Sequence, residues 1–161
     1  MKIQIESSTS CNAKCTFCPR YDMIRPRGEM SDELFHKIIK DSRDIKHAYF
    51  VPFLNGEPFV FPRIWEWLDY MLNEGNRVYL TTNAEFLDVE RIVKYPNIRE
   101  VCCSINAATP ETHKKVMRGP NYEKVVNNVR KLIKLAPFRV SASMVVLSAK
   151  KHEVDEFKRI W

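Results

Sequence analysis

The sequence predicts an α/β fold: a partial barrel of about five to six parallel βα units, an incomplete version of the TIM barrel. Short runs rich in β-branched and aromatic residues alternate with longer segments of helical periodicity, and five such units can be counted in 161 residues. This length suits a single domain. Polar clusters follow the ends of the first four strands, where parallel sheets carry their chemistry. An open doubly wound sheet fits the same observations, so both topologies remain open from the pattern alone.

The first βα unit is interrupted by a long loop. Its strand is predicted at residues 2–6 and the loop at residues 7–30. Ser31 is a good N-cap for the helix that follows, and the acidic residues Asp32 and Glu33 suit its first turn. The face expected to be buried carries Leu34, Phe35, Ile38 and Ile39.

The later units are delimited by helix caps and breakers. The remaining strands are predicted at residues 47–54, 77–82, 99–106 and 138–147. The helix after the second strand opens near Pro62 and stops at Gly75. The next helix begins at about Leu87 and must end before Pro96, because a residue that precedes proline disfavours the helical conformation.

Two helices are predicted after the fourth strand and one after the fifth. Thr109 is an N-cap with Pro110 at the first helical position, and Asn121 caps the second of the two helices. The buried side of that second helix is expected to carry Val125, Val126, Val129, Leu132 and Ile133. The last helix is predicted over residues 150–161.

Composition and charge exclude several classes of protein. Hydrophobic residues make up 45% of the chain and charged residues 29%, and no window approaches the ~20 apolar residues of a membrane span. Residues 1–6 alternate apolar and polar side chains instead of forming a secretory signal, so we expect a cytoplasmic protein. The net charge of +6 is spread along the chain, which does not indicate a nucleic acid or a membrane as a partner.

Three of the five cysteines form the pattern C-x3-C-x2-C at Cys11, Cys15 and Cys18. An odd cysteine count with this clustering suits a metal site in a reducing compartment better than a disulfide framework. The three positions would also share one face of a helix. However, the Ser- and Thr-rich residues 7–10 are poor helix formers and Pro19 ends the run, so the pattern disfavours a helix core.

The number of cysteines also bears on the kind of metal site. A structural zinc ion normally takes four protein ligands, and no fourth Cys or His lies at the usual spacing. An iron-sulfur cluster used only for electron transfer usually has four cysteines. Three thiolates around a four-iron cluster leave one iron free to bind a small molecule, as catalytic zinc sites keep one position vacant.

The cysteine spacing, with the aromatic Phe17 before the third cysteine, resembles the cluster motif of radical S-adenosylmethionine (SAM) enzymes. The resemblance continues through Cys18-Pro19-Arg20, Arg25-Pro26-Arg27-Gly28, Gly56-Glu57-Pro58, Thr81-Thr82-Asn83, residues 104–112 and Arg118-Gly119. In order and spacing, these segments are similar to the N-terminal catalytic region of the branch that often carries a C-terminal, SPASM-type extension for auxiliary clusters.

This resemblance implies a pair of cofactors, a [4Fe–4S] cluster and SAM. Cys11, Cys15 and Cys18 would hold the cluster, SAM would chelate the free iron, and reductive cleavage of SAM would yield a 5'-deoxyadenosyl radical. The radical would abstract hydrogen from a peptide, a protein or a small molecule. That step requires no side-chain acid or base, so no catalytic residue is assigned. The resemblance also implies an electron donor such as flavodoxin or ferredoxin.

Eight residues are assigned to cofactor binding by the family motifs that they match. They are Phe17, Gly56, Glu57, Thr81, Asn83, Ser104, Asn106 and Arg118. Phe17 would pack on the adenine, and Gly56 would allow a close backbone approach. Glu57 would accept a hydrogen bond from the SAM ammonium group. Thr81, Ser104 and Asn106 would face the ribose, the carboxylate or the substrate, with Asn83 on the same face as Thr81. Arg118 would pair with the SAM carboxylate.

Three positions depart from the family pattern. Relatives often have glycine at the positions of Asn55 and Ala84, and many have aspartate at the position of Asn106. The family also usually builds at least six βα units, so we expect residues 1–161 to form one core domain that lacks the last unit. An unpaired edge of a parallel sheet favours pairing, and a dimer or a partner subunit is expected there.

A second hypothesis comes from a different class of protein. A non-catalytic zinc or iron-sulfur module would use the basic loop around Arg20, Arg25 and Arg27 to bind an anion. The adjacent Cys102 and Cys103 do not extend the metal site, because neighbouring residues of a strand point to opposite faces. We expect both to be small buried residues, with Cys102 on the same face as Ser104.

Overall fold

Five parallel strands form one sheet in the computed structural model, which describes residues 1–146 and 152–161. They are β1 (Lys2–Gln4), β2 (Tyr49–Val51), β3 (Arg77–Thr82), β4 (Ile98–Ser104) and β5 (Arg139–Ser143). Each strand pairs in parallel with the next in sequence, so the spatial order is β1-β2-β3-β4-β5. A doubly wound sheet would reverse its strand order at a switch point. The consecutive order therefore selects the predicted partial barrel.

Helices follow the strands in the described part of the chain. They are α1 (Asp32–Asp41), α2 (Ile64–Asn73), α3 (Val89–Ile92), α4 (Pro110–Val116), α5 (Tyr122–Leu135) and α6 (Val154–Ile160). All three predicted N-caps are confirmed. The side chains of Ser31, Thr109 and Asn121 accept hydrogen bonds from backbone N–H groups three residues later, at 3.2, 3.3 and 2.9 Å.

The hydrophobic core lies between the sheet and the helices. Phe50, Leu80 and Val101 are buried in it, and each such side chain contributes about 1.5–3 kcal/mol through burial. Phe35 of α1 stacks on Trp67 of α2, with ring centroids 3.9 Å apart. Because strand side chains alternate, this packing turns the intervening residues of each strand toward the inside of the barrel.

The strands are shorter than predicted, although β3 matches residues 77–82. The fourth strand ends at Ser104 because Asn106 has a φ of +60°, which is incompatible with a strand. The helix after β2 begins at Ile64, two residues from the predicted start near Pro62, and a 3₁₀ turn over Pro58–Val60 precedes it. The predicted end of the fifth strand at residue 147 and the predicted helix start at residue 150 lie outside the described residues.

Two expectations about burial are wrong. Leu34 of α1 and Ile133 of α5 are exposed, although their helices bury the predicted neighbours Phe35, Ile39, Val129 and Leu132. Both exposed residues lie at the margin of an apolar stripe, where periodicity alone does not decide the side. Within the described residues, no helix has the length and apolar character that a membrane crossing requires.

Candidate cluster and cofactor site

A cavity of about 320 Å³ opens at the carboxyl ends of the strands. Small-molecule sites usually occupy about 300–1,000 Å³. Its lining includes Cys11, Cys15, Phe17, Cys18, Gly56, Glu57, Thr81, Asn83, Ser104 and Asn106. The fold therefore brings together every predicted site residue except Arg118, from a loop and three strand ends that are far apart in sequence.

The three cysteines lie in an irregular loop, half-buried and without disulfides. Burial raises the pKa of the Cys15 thiol to about 11, which the positive charge of Arg20 opposes. Among the described residues, no three Cys, His, Asp or Glu side chains converge on a point where one metal ion would bind. Zinc needs its thiolates within about 2.3 Å of one ion. All three thiols line the same cavity, as the ligands of one cluster would.

The cysteine loop is docked on the segment that follows α4. The backbone N–H of Lys14 donates to the carbonyl groups of Met117 and Arg118, at 3.1 and 2.8 Å. The backbone N–H of Thr16 donates to the carbonyl of Val116 at 2.9 Å. These contacts span about a hundred positions of sequence, so they fix the cysteine loop only once the sheet has formed.

Arg20 is buried beneath the cysteine loop, and its burial argues against the anion-binding hypothesis. Its guanidinium donates to the carbonyl groups of Thr9 and Ala13 at 3.2 and 3.1 Å. A second arginine of the same loop, Arg25, forms an ion pair with Glu6. Two of the three cations proposed to hold an external anion are thus occupied within the protein.

Glu57 follows β2 and is buried, with both carboxylate oxygens engaged. Its Oε1 accepts from the Thr82 hydroxyl at 2.5 Å and from the Phe59 N–H at 3.3 Å, and its Oε2 accepts from the Asn83 N–H at 2.7 Å. Desolvation raises the pKa of this carboxyl group to about 7. Glu57 therefore ties the end of β2 to the end of β3 while it lines the cavity.

Gly56 permits a close backbone approach, as predicted. A Cβ atom at this position would lie 2.1 Å from the Ser8 carbonyl oxygen and 2.9 Å from that of Ser10. The close backbone approach is thus to the start of the cysteine loop. Asn55, which replaces the usual glycine, donates from its backbone and its side chain to Glu6 Oε1, at 3.2 and 3.0 Å.

Asn83 joins the end of β3 to the cysteine loop. Its Nδ2 donates to Asn12 Oδ1 at 2.8 Å, and its Oδ1 accepts from the Glu85 N–H at 3.1 Å. Asn12 in turn donates from Nδ2 to Glu85 Oε2 at 2.5 Å. Sequence reasoning missed Asn12 and Glu85, because neither stands out in any local pattern. Ala84 has a φ of +63°, a conformation that glycine adopts with less strain.

Asn106 lies where the chain leaves β4 for the cavity rim. Its Oδ1 accepts from the Val145 N–H at 2.9 Å, and its Nδ2 lies 3.2 Å from Met117 Sδ. Met117 Sδ is also 3.4 Å from Cys15 Sγ. Nearby, the hydroxyl of Ser143 donates to that of Ser104 at 3.4 Å. Met117 was not predicted, although it directly precedes the Arg118-Gly119 motif.

Arg118 lies outside the first cavity. It lines a neighbouring cavity of about 800 Å³ together with Lys14 and Lys114, and its Nε donates to the Lys115 carbonyl at 3.2 Å. This placement gives no support to the predicted pairing with the SAM carboxylate, which the variant Arg118→Gln tests (Discussion). Cys103 is buried, whereas Cys102 is only half-buried, so the expectation of burial is confirmed in full for Cys103 alone.

One side of the cavity is apolar and was not predicted as part of the site. It consists of Phe53 and Leu54 after β2, and Met144 and Val145 after β5. Glu57 is the one formally charged side chain among the described residues that line the cavity, and no lysine or arginine is among them. All four residues lie inside the strands predicted at residues 47–54 and 138–147, so the sequence did not indicate that they form the rim of a cavity.

The Radical SAM superfamily model matches residues 5–159. The chain belongs to this superfamily. The resemblance read from the cysteine loop and the strand ends is thereby confirmed. The cofactors of the superfamily, a [4Fe–4S] cluster and SAM, are the predicted pair, and the three open thiols agree with them.

Curated relatives of this radical SAM chain match it over most of its length. A probable GTP 3',8-cyclase of Methanothermobacter thermautotrophicus is 25% identical over 154 residues, which covers 94% of this chain and 50% of the relative. The mycofactocin maturase MftC of Mycobacterium tuberculosis is 25% identical over 154 residues, which covers 94% and 39%. The chain thus spans half or less of the length of these relatives.

Solved structures share the fold of this radical SAM chain. Native anSMEcpe with bound AdoMet, which is SAM, matches with a TM-score of 0.81 at 22% identity, over 99% of this chain and 47% of the other. Streptococcus suis SuiB bound to precursor peptide SuiA matches with a TM-score of 0.77 at 17% identity, over 99% and 36%. These matches confirm the predicted α/β partial barrel.

Proposed function

We propose that this radical SAM chain is the core domain of an enzyme that abstracts hydrogen from a peptide or protein substrate. The observation that carries the proposal is the convergence of Cys11, Cys15 and Cys18 with the polar ends of β2, β3 and β4 on one cavity. When bound there, the cluster and SAM supply one-electron cleavage of SAM to a 5'-deoxyadenosyl radical. The residues of the chain hold, orient and shield this chemistry.

Each wall of the cavity has a proposed role toward SAM. Glu57, which keeps free acceptor capacity on Oε2, accepts from the SAM ammonium group. Thr81, Ser104 and Asn106 face the ribose, the carboxylate or the substrate, and Phe17 packs on the adenine. Asn83 acts mainly through the hydrogen bonds that hold the cysteine loop against β3.

The lining of the cavity supports a peptide over a nucleotide. A nucleoside triphosphate is usually held by arginine, lysine or a metal ion, and the described lining residues include no lysine or arginine. The apolar side formed by Phe53, Leu54, Met144 and Val145 suits an amino-acid side chain instead. Two of the similar folds, anSMEcpe and SuiB, were solved with peptides, which agrees with this choice.

We further propose a cytoplasmic location and a separate one-electron donor of the flavodoxin or ferredoxin type. The five cysteines are free in the structure, as suits a reducing compartment. Strands β1 and β5 are the two edges of the sheet. A second copy or a partner subunit at one edge is part of the same proposal, and analytical ultracentrifugation of the active protein tests it.

Anaerobic reconstitution with iron and sulfide tests the proposed function. We expect the reduced protein to hold a [4Fe–4S] cluster and to release 5'-deoxyadenosine from SAM. Cys15→Ala should abolish both, because it removes a ligand, whereas Cys102→Ala removes a half-buried thiol outside the loop and should leave both in place. A wild-type protein that binds one zinc ion and forms no 5'-deoxyadenosine would contradict the proposal.

The substrate class has its own test. Peptides deuterated at their carbon-bound hydrogens are incubated with the reconstituted protein, SAM and reductant, in parallel with deuterated GTP. Because the abstracted atom is transferred to the radical, deuterium should appear in 5'-deoxyadenosine with a peptide and not with GTP. Transfer from GTP alone would replace the peptide by a nucleotide.

A further inference from the structure

Arg20 is a buried cation without an acidic partner. The residue is only 6% exposed, in a loop that is otherwise largely open to solvent. None of the ion pairs formed among the described residues involves it. An unpaired charge removed from water costs several kcal/mol, so buried charges are normally matched by an opposite charge.

The guanidinium group of Arg20 is held against the backbone that carries the cysteines. It donates to the Thr9 carbonyl on one side of Cys11 and to the Ala13 carbonyl on the other, at 3.2 and 3.1 Å. It also donates to the Tyr21 hydroxyl at 2.8 Å, and its buried Nε has no partner. These acceptors are neutral, so they position the charge without neutralising it.

A cluster bound by this loop would bring the missing negative charge. Three thiolates carry more negative charge than the oxidised iron-sulfur core carries positive charge, and reduction adds one electron more. A cation fixed in a medium of low dielectric constant interacts with such a charge more strongly than a solvated cation does. The effect grows when the cluster is reduced, which links Arg20 to the reduction potential.

We propose that Arg20 is the built-in counter-charge of the cluster, a positioning residue that clamps the cysteine loop and raises the one-electron reduction potential. This inference rests on the proposed function, since it requires a cluster on Cys11, Cys15 and Cys18. It explains why an arginine without an acidic partner is buried in the same loop that presents three thiols.

Two variants distinguish the electrostatic role of Arg20 from its role in holding the cysteine loop. Arg20→Lys keeps the positive charge but loses the forked geometry that reaches two carbonyl groups. Arg20→Gln keeps a hydrogen-bond donor but removes the charge. Arg27→Gln is the matched control, because it removes the same charge from an exposed position in the same loop, where water screens it.

The experiment reconstitutes the four proteins anaerobically and measures iron content and the midpoint potential by EPR-monitored redox titration. Arg20→Gln should shift the one-electron equilibrium about tenfold toward the oxidised cluster, which equals about 59 mV. Arg20→Lys should stay within about threefold of the wild type and Arg27→Gln within about twofold, because both keep the buried charge.

A wild-type potential in Arg20→Gln would overturn the inference, as would equal shifts in Arg20→Gln and Arg20→Lys, which would indicate a clamp alone. If Arg20→Gln takes up no iron, Arg20→Lys decides the matter. Normal loading of the lysine variant supports the counter-charge, and its failure to load overturns it. A wild-type protein that forms no cluster would instead refute the proposed function, so the two failures are distinguishable.

Discussion

The two sides of the cavity are built differently. The side formed by the cysteine loop and the ends of β2 to β4 is polar, and Glu57, Asn83 and Asn106 all bond to other parts of the protein. The opposite side is apolar and open, with Leu54 49% exposed and Val145 44% exposed. We call the polar side the anchored side and the apolar side the open side. Bonds of this kind preorganise a site, and the open side is the one to which we assign the substrate in the proposed function.

The largest effect should come from a substitution on the anchored side. Gly56→Ala would place a Cβ atom 2.1 Å from the Ser8 carbonyl oxygen, so the cysteine loop must move. We expect a loss of about 3 kcal/mol in the free energy of unfolding, together with loss of iron uptake. Gly28→Ala is the matched control, because a Cβ atom there meets nothing within 4 Å. Urea unfolding that gave equal values for both variants would refute the anchoring role of Gly56.

The second prediction concerns the pH dependence of Glu57. Its folded pKa is raised to about 7 from a usual value of 4.5, so the folded protein holds a proton that the unfolded chain releases. Stability from this group is fully present below about pH 4.5 and is lost as the pH rises through about 7. Between these values the free energy of unfolding should fall, by an amount on the order of 3 kcal/mol.

Glu57→Gln tests this prediction because an amide does not titrate. The variant's free energy of unfolding should lack this decline with pH. Because the amide NH₂ would face a hydrogen-bond donor, either the Asn83 N–H or the Thr82 hydroxyl, the slopes of the pH profiles are compared and not the absolute stabilities. Glu111→Gln, at an exposed position of α4, controls for the loss of a negative charge and should keep the wild-type profile. If the free energy of unfolding varied with pH in the same way in the wild type and in Glu57→Gln, burial would not raise the pKa of Glu57 and the prediction would be wrong.

The third prediction concerns Arg118, which lies on neither side of the cavity. Because its side chain lines the neighbouring cavity, Arg118→Gln should change the affinity for SAM by no more than about threefold. A direct ion pair with the SAM carboxylate would instead make the loss about tenfold or more. Equilibrium binding of SAM to the reconstituted protein distinguishes the two, and a large loss would extend the anchored side to Arg118.

The smallest effect on stability is expected on the open side. Leu54→Ala should change the free energy of unfolding by less than about 0.5 kcal/mol, because the side chain is half exposed. Leu80→Ala, in the core, should cost about 2–5 kcal/mol. SAM cleavage without substrate should be unchanged in Leu54→Ala, while peptide-dependent turnover falls. A loss of SAM cleavage would show that Leu54 belongs to the cofactor side.

Much of the fold could be predicted because its signals are local. Ser31, Thr109 and Asn121 cap helices through bonds to residues three positions later, which the sequence displays directly. The cysteine spacing is also local, and it led to the correct family. The end of β4 was predicted two residues too late, and Leu34 and Ile133 were wrongly predicted to be buried. Both errors have the same cause: a left-handed turn and the margin of an apolar helix face depend on what packs beside them.

Most polar residues that line the candidate site could be named from the sequence, but the hydrogen bonds that connect them could not. Thr82 bonds to Glu57 across 25 positions, Asn83 to Asn12 across 71, and Cys15 contacts Met117 across 102. No periodicity or motif reports such pairs. The reading of Arg20 as part of an anion-binding loop failed for the same reason, since burial depends on the whole fold.

The amino-acid sequence alone determined the βα alternation, the helix caps and the three thiols, because each depends on neighbours within a few residues. Only the tertiary structure decided that Glu57 is protonated more readily than usual, that Gly56 admits the cysteine loop, and that Arg20 is buried beside the thiols. These three properties arise from segments that lie far apart in the sequence and that folding brings together. They can therefore be recognised only in the folded structure.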